Sequence, residues 1–329
     1  MLWQFPADAT YFRIMDPHNR LLILTEMPER FAALIEARGF NDLECMVCHK
    51  TEEALLHVQD CTIILGEPKR IAPLLNVAGN LKWVQSTYAG TEPLMGPGMR
   101  TDYLLTNIRG IFGPLMSEYV FAHILVLERH LFQVRENQKK RCWQEIPYRS
   151  LEGLLLGICG VGSIGGHIAR TAKHFKMEVW GFKRTKEGVP GVDRIFAQEE
   201  FKEFLAHPDY VVITLPETPD TRHLFDREAF GFMNPSAVLI NVGRGPIVAE
   251  QALIHALKKQ QIRGAVLDVF EEEPLPKESP LWELPNLLIT PHHAAISFPE
   301  PVVEIFAENY RRFTAGKPLQ NRVDFKRGY

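Results

Sequence analysis

The sequence predicts an α/β fold with mostly parallel sheet, divided into two domains. Short apolar runs alternate with helical patterns almost throughout the chain. A glycine-rich loop stands between a strand-like run and a helix-like stretch. A length of 329 residues also exceeds what a single core usually organises.

The first series has short strands at residues 21–25, 62–65 and 81–85, with a helical stretch around 28–38. Residues 117–138 read as one long helix, free of Gly and Pro, suited to connecting two domains. Residues 139–150 are charged and irregular, with Trp143 and Pro147. A second series begins at Leu154 and repeats strand, loop and helix to about residue 290. Its further strands fall at 179–182, 210–215, 237–242, 264–269 and 287–290, and 301–313 reads as a closing helix.

Composition narrows the function classes. Hydrophobic residues make up 46% and charged residues 23%, ordinary for a soluble globular chain. A net charge of -3 argues against broad binding to nucleic acid or an acidic membrane. The best apolar stretch, 119–127, contains His123 and falls far short of the roughly 20 residues a bilayer span needs. Residues 1–6 lack a charged-then-apolar secretory pattern, so a cytoplasmic setting is expected. Five cysteines form an odd, sparse set that suits a reducing compartment. Cys45-Met46-Val47-Cys48-His49 matches haem-attachment spacing, but it sits in an apolar strand and reads as accidental.

The glycine loop is the most informative local feature. Residues 154–159, LLLGIC, read as a buried strand and run into Gly160-Val161-Gly162-Ser163-Ile164-Gly165, followed by a helix at 167–176. Strand, G-x-G-x-x-G and helix in that order, with another strand about 15 residues later, form the dinucleotide fingerprint. Gly160 permits the tight turn, Gly162 lets a pyrophosphate approach the backbone, and Gly165 lets helix and strand pack closely. Exposed N–H groups at the helix start then hold phosphates. An NAD-type cofactor usually meets a carboxylate about 20 residues on. Here the second strand ends in Gly181-Phe182-Lys183-Arg184-Thr185-Lys186. Two adjacent cations and a hydroxyl suit a 2′-phosphate, so NADP(H) is expected over NAD(H), with NAD still possible.

Three later strand ends carry reactive side chains: Arg244 in Asn241-Val242-Gly243-Arg244-Gly245, Glu273 after Asp268 in LDVFEEEP, and His292 in Thr290-Pro291-His292-His293. Ligands of open α/β sheets sit at such ends. Reduction of a 2-keto acid needs a guanidinium to clamp the carboxylate, a proton donor for the carbonyl oxygen, and a carboxylate to orient that donor. These three residues meet that need. Singly, each also fits a plainer role: a turn residue, one of three solvated glutamates, a structural histidine beside His293.

Together the motifs resemble the D-isomer-specific 2-hydroxyacid dehydrogenases over most of the chain. They are GVGSIG at 160–165, TLPETPDTRHLF at 214–225, NVGRG at 241–245, LDVFEEEPLP at 267–276 and TPHHAA at 290–295. The resemblance implies Arg244 as substrate clamp and electrophile, His292 as acid/base and Glu273 as its partner. It implies cofactor contacts from Gly160, Gly162, Ser163, Ile164, Gly165, Lys183, Arg184, Thr185, Leu215, Pro216, Thr221, Val242, Gly243 and Asp268. Asp268 would lie near the nicotinamide carboxamide. Backbone at Ala89 and Gly90, in STYAG at 86–90, matches the family's carboxylate loop, and Arg109-Gly110 lies near its domain crossover. Lys183-Arg184-Thr185, ESPLW at 278–282 and VDFKRGY at 323–329 are similar to the glyoxylate/hydroxypyruvate reductase branch. Two departures bear on substrate fit: Gly90-Thr91-Glu92 replaces Gly-Val-Asp, and His293 replaces an apolar residue.

The implied architecture is a Rossmann doubly wound cofactor domain at 113–295 plus a flavodoxin-like substrate domain from 1–112 and 296–329. The implied activity is NADPH-dependent reduction of a small 2-keto acid such as glyoxylate or hydroxypyruvate, without a metal, in a homodimer joined through 117–150. Two rivals remain. Relatives of this fold act as dinucleotide-sensing corepressors, although no peptide-docking feature is legible. Oxidation of phosphoglycerate is disfavoured because no regulatory domain follows residue 329, an extension that is not universal.

Overall fold

The computed structural model describes residues 19–96 and 98–325, which divide into two compact units. The expectations for residues 1–6 and for 326–329 of the VDFKRGY segment lie outside the described residues.

The first unit runs to Arg109 and resumes at Ser297. Its five strands are β1 (Asn19–Leu24), β2 (Leu43–Cys48), β3 (Ile63–Gly66), β4 (Trp83–Ser86) and β5 (Leu104–Thr106). They pair in parallel in the order β2-β1-β3-β4-β5, the flavodoxin-like arrangement. Leu21 to Leu24 and Ile63 to Leu65 are fully buried, because a parallel strand covered on both faces reads as a continuous apolar run. The helices Pro28–Glu36 and Pro299–Thr314 pack together. Phe306, on the second, stacks on Trp83 at 5.2 Å.

The haem-like spacing is resolved by β2. Strand side chains alternate faces, so Cys45 and Cys48, three residues apart, leave opposite sides of the sheet. His49 is engaged elsewhere, with Nε2 at 2.8 Å from Glu29 Oε1.

The second unit covers Gly110–Ile296. Its strands are β6 (Leu155–Cys159), β7 (Glu178–Phe182), β8 (Arg194–Phe196), β9 (Tyr210–Ile213), β10 (Val238–Asn241), β11 (Gly264–Leu267) and β12 (Leu287–Ile289). All pair in parallel, in the order β12-β11-β10-β9-β6-β7-β8. This is doubly wound topology, with the direction of winding reversing between β6 and β9. Separate apolar cores cover the two faces of the sheet.

The long helix expected at 117–138 is two helices, Gly113–Glu128 and Leu131–Lys139. His130 takes a left-handed backbone with φ 51° between them. The first helix closes through bonds from Arg129 N to Leu125 O and from His130 N to Leu127 O. Its root is fixed by a buried carboxylate. Glu128 accepts from Arg149, Arg263 and the Tyr210 hydroxyl at 2.6–3.0 Å. Burial alone would raise the Glu128 carboxyl, but these donors outweigh it and hold it down at about 2. Among the described residues no helix is long and apolar enough to cross a membrane.

Candidate active site

The strand ends of the second unit converge. Gly160 follows β6 with φ 101°, a backbone that side chains other than hydrogen resist. The helix Ser163–His174 starts directly after Gly162. A Cβ on Gly165 would stand 2.1 Å from Gly160 O, so only glycine lets the helix lie this close to the loop. A Cβ on Gly162 would meet nothing within 4 Å, which is the open approach a pyrophosphate requires. Ser163, Ile164 and Gly165 form the first turn, whose N–H groups lack intrahelical acceptors. The residues present therefore fit a dinucleotide.

At the end of β7, Lys183 is half-buried and Arg184 and Thr185 are exposed. Lys183 Nζ donates to Glu187 O at 3.5 Å. Positions 183–186 hold no carboxylate. Leu215 and Pro216 follow β9, where a Cβ on Gly243 would come within 2.8 Å of Leu215 O. Thr221 folds back on its own loop, donating to Pro216 O at 2.7 Å. Val242 is buried at the end of β10.

Arg244, Glu273 and His292 follow β10, β11 and β12, three adjacent parallel strands, so their loops lie side by side at one sheet edge. Buried Asn241 shapes the first loop, accepting from Gly243 N and donating to Arg244 O, each at 3.0 Å. Arg244 Nη1 donates to Gly243 O at 2.8 Å, which fixes one edge of the guanidinium. A Cβ on Gly245 would stand 1.8 Å from Phe270 O, so this loop and the one bearing Glu273 touch backbone to backbone. Glu273 Oε1 accepts from Phe270 N at 3.1 Å, and Oε2 lies 2.8 Å from His292 Nδ1. The paired side chains are 27% and 52% exposed, so the imidazole faces open space while its partner is sheltered.

The His292 loop is held from behind. His292 itself has φ 52°, in the left-handed region. Its N–H donates to Asp268 O at 2.8 Å. The Asp268 carboxylate is 1% exposed. It accepts from Thr290 Oγ1 at 2.6 Å and from the N–H groups of His293 and Ala294, each at 2.9 Å. Three of its acceptor positions thus bind the loop. The neighbouring loop is tied by a reciprocal pair: Glu250 N donates to Glu271 and Glu271 N to Glu250, at 3.1 and 2.9 Å. Burial raises the Glu250 carboxyl; the Glu271 N–H opposes this, and the charges of Glu271 and Glu272 add to it.

In the first unit, β4 ends at Ser86 and Thr87 through Gly90 follow it. Ser86 Oγ donates to Tyr88 O and accepts from Tyr88 N, at 2.9 and 3.0 Å. Asn107 Nδ2 donates to Ala89 O at 2.7 Å, and Arg109 Nε donates to Asn107 Oδ1 at 3.1 Å. The loop carrying Ala89 and Gly90 is therefore pinned by side chains at the carbonyls of Tyr88 and Ala89. Among the described residues, Thr87 Oγ1 is buried with no hydrogen-bond partner. No cluster of three or more His, Cys, Asp or Glu among them is arranged to hold a metal ion.

Residues 121–294 match the family model described as the NAD binding domain of D-isomer specific 2-hydroxyacid dehydrogenases. A solved member from Aeromonas salmonicida subsp. salmonicida A449 is 46% identical, covering 94% of this chain and 99% of that one, with a TM-score of 0.92. The chain belongs to the D-isomer specific 2-hydroxyacid dehydrogenase family. It is an oxidoreductase, as the motifs implied. Another solved family member, from Xanthobacter autotrophicus Py2 in complex with NADPH and MES, is 31% identical, with 95% and 100% coverage and a TM-score of 0.85. An NADPH-dependent glyoxylate/hydroxypyruvate reductase from Sinorhizobium meliloti, in complex with NADP and sulfate, is 28% identical. It covers 94% of this chain and 100% of that one, with a TM-score of 0.84.

In this dehydrogenase, three strand-end residues singled out from sequence stand on one sheet edge, and two of them are bonded. Sequence reasoning missed Thr290, Asn241 and the Glu250–Glu271 pair. Thr290 and Asn241 lay inside quoted motifs, whereas the two glutamates are 21 residues apart with no pattern linking them.

Proposed function

We propose that this dehydrogenase reduces small 2-keto acids, glyoxylate and hydroxypyruvate foremost, to 2-hydroxy acids with NADPH. The observation that carries the reading is the 2.8 Å bond between His292 Nδ1 and Glu273 Oε2 on strand ends next to Arg244. The carboxylate accepts a hydrogen bond from Nδ1–H, and in the doubly protonated ring the other nitrogen, Nε2–H, is the donor that gives its proton to the carbonyl oxygen. Because Phe270 N–H holds Glu273, the ring orientation is set by backbone.

Arg244 clamps the substrate carboxylate through its planar fork and polarises the adjacent carbonyl. Backbone at Ala89 and Gly90 takes part in binding the same class of substrate, which makes residues 1–112 and 296–329 the substrate domain and 113–295 the dinucleotide domain. When bound, the reduced nicotinamide supplies hydride to the carbonyl carbon. Ser163, Ile164 and the three loop glycines cradle its phosphates. Lys183, Arg184 and Thr185 select the 2′-phosphate, and Leu215, Pro216, Thr221, Val242 and Gly243 line the remainder, whereas Asp268, expected beside the nicotinamide, is buried and acts by bracing the His292 loop. The NADP-containing relatives support this choice.

A homodimer through 117–150 belongs to the proposal. Leu131, Phe132, Val134, Trp143 and Tyr148 are all exposed there, Trp143 at 98%, and light scattering on the purified protein measures the mass. A cytoplasmic setting is proposed with it, supported by five cysteines that are all free.

The test is absorbance of NADPH and NADH over a panel of keto acids. Rapid oxidation of NADPH by glyoxylate or hydroxypyruvate is expected. NADPH binding without turnover on any of them would favour a dinucleotide-sensing binding protein instead.

A further inference from the structure

The helix Gly113–Glu128 supplies none of the groups assigned above, yet two of its side chains reach the two halves of the machinery. Ser117 Oγ lies 2.9 Å from His167 Nδ1, on the helix that follows the glycine loop. Two residues on, Tyr119 OH lies 2.6 Å from Thr290 Oγ1. Thr290 gives its only hydroxyl proton to Asp268 Oδ1, so Tyr119 is the donor to Thr290. The chain of bonds then reaches the N–H groups of His293 and Ala294 through the Asp268 carboxylate, and the N–H of His292 through the Asp268 carbonyl.

We propose that Tyr119 is a positioning residue for His292, acting through Thr290 and Asp268. The proposal rests on the reading of His292 as proton donor. A loop whose key residue sits in the left-handed region persists only when its surroundings over-determine it. Thr290 belongs to the loop itself, and Asp268 stands on the adjacent strand end of the same sheet. Tyr119 comes from a different element, is 9% exposed, and anchors the pair to a helix packed against the cofactor helix. Its ring also lies edge-on to His293, with centroids 6.4 Å apart, so the hydroxyl and the ring hold the loop on either side of His292. With the hydroxyl gone, only the bond to Asp268 holds the Thr290 hydroxyl, so the donor on Oδ1, the oxygen that also accepts from His293 N–H, is less firmly placed.

The test uses the full-length protein and two readouts. Without added cofactor, Tyr119→Phe is expected to speed amide exchange at His293 and Ala294 about tenfold, with the rest of the unit unchanged. With saturating NADPH and glyoxylate, kcat is expected to fall about tenfold while the KM for NADPH stays within twofold. Thr290→Val should reproduce both effects and Thr290→Ser should restore them. The double variant Tyr119→Phe/Thr290→Val should be no slower than Thr290→Val alone. The proposal is overturned by an unchanged kcat in Tyr119→Phe, by multiplying losses in the double variant, or by exchange that accelerates across the whole unit. If Tyr119→Phe fails to fold, the Thr290 pair decides. Absent glyoxylate turnover in the unaltered protein counts against the functional reading, and loop exchange still decides the positioning.

Discussion

Gly245→Ala is the most informative single substitution, because its effect can be worked out from one contact. The added Cβ would lie 1.8 Å from Phe270 O and 2.6 Å from Glu271 N, both backbone atoms that cannot rotate away. Ordinary contact begins at 3.4 Å, so the two loops must separate by about 1.6 Å. That displacement falls between Arg244 and the segment that places Glu273 against His292. A misplacement of about 1 Å in a reacting group costs roughly a hundredfold in rate. Overpacking of this kind costs about 1–3 kcal/mol in stability, or roughly 2–4 °C per kcal/mol for a unit of this size. The expected variant is therefore folded, binds NADPH with near-normal affinity by fluorescence titration, and turns over keto acid at least about a hundredfold more slowly. Turnover within threefold of the parent would refute the inference that this backbone crossing sets the spacing of the reacting groups.

Three further outcomes are expected. His292→Ala should lower kcat by roughly 10²–10⁴-fold with NADPH binding retained, and undiminished stopped-flow turnover would remove it from the mechanism. Replacing Lys183 and Arg184 with neutral residues should raise the KM for NADPH by at least about tenfold and leave that for NADH nearly alone; equal changes would count against selection of the 2′-phosphate. Glu128 is held at about 2, below its ordinary value of 4.5, so its contribution is complete above that value and fades as pH falls towards 2. Denaturant melts should show the stability gap between the parent and Glu128→Gln shrinking by about 3 kcal/mol across that window. A constant gap would show that the carboxylate does not titrate as its partners dictate.

Much of the second unit was legible because its signals are local. A buried strand, a glycine loop and a helix occupy a short continuous stretch, and the apolar runs of β6, β9, β10 and β11 are too pure for solvent-facing strands. The three-residue strands β5 and β8, LLT and RIF, escaped notice because each includes a polar residue and carries no period, whereas β12 is equally short but wholly apolar. The break at His130 was invisible for a related reason. No Gly or Pro marks it, and the left-handed turn is set by closing bonds to Leu125 and Leu127. Arg244, Glu273 and His292 were legible only as residue types in motifs. That Glu273, and not Glu271 or Glu272, meets His292 follows from the Phe270 N–H bond, and Glu271 is committed to Glu250 instead. Tyr119 had no sequence signal, because its partner stands 171 residues away.

On the proposed role of His292, its left-handed backbone sets stability and activity against each other at one position. An L-residue there costs about 1–2 kcal/mol, which glycine would avoid and asparagine would reduce. Random mutagenesis screened only for heat resistance should therefore enrich His292→Gly and His292→Asn, producing sturdier proteins that no longer turn over substrate. A library screened for turnover as well should keep histidine and gain its stability at other sites. The identity of residue 292 in survivors would thus report whether selection had acted on catalysis, without any enzyme assay on the individual clones.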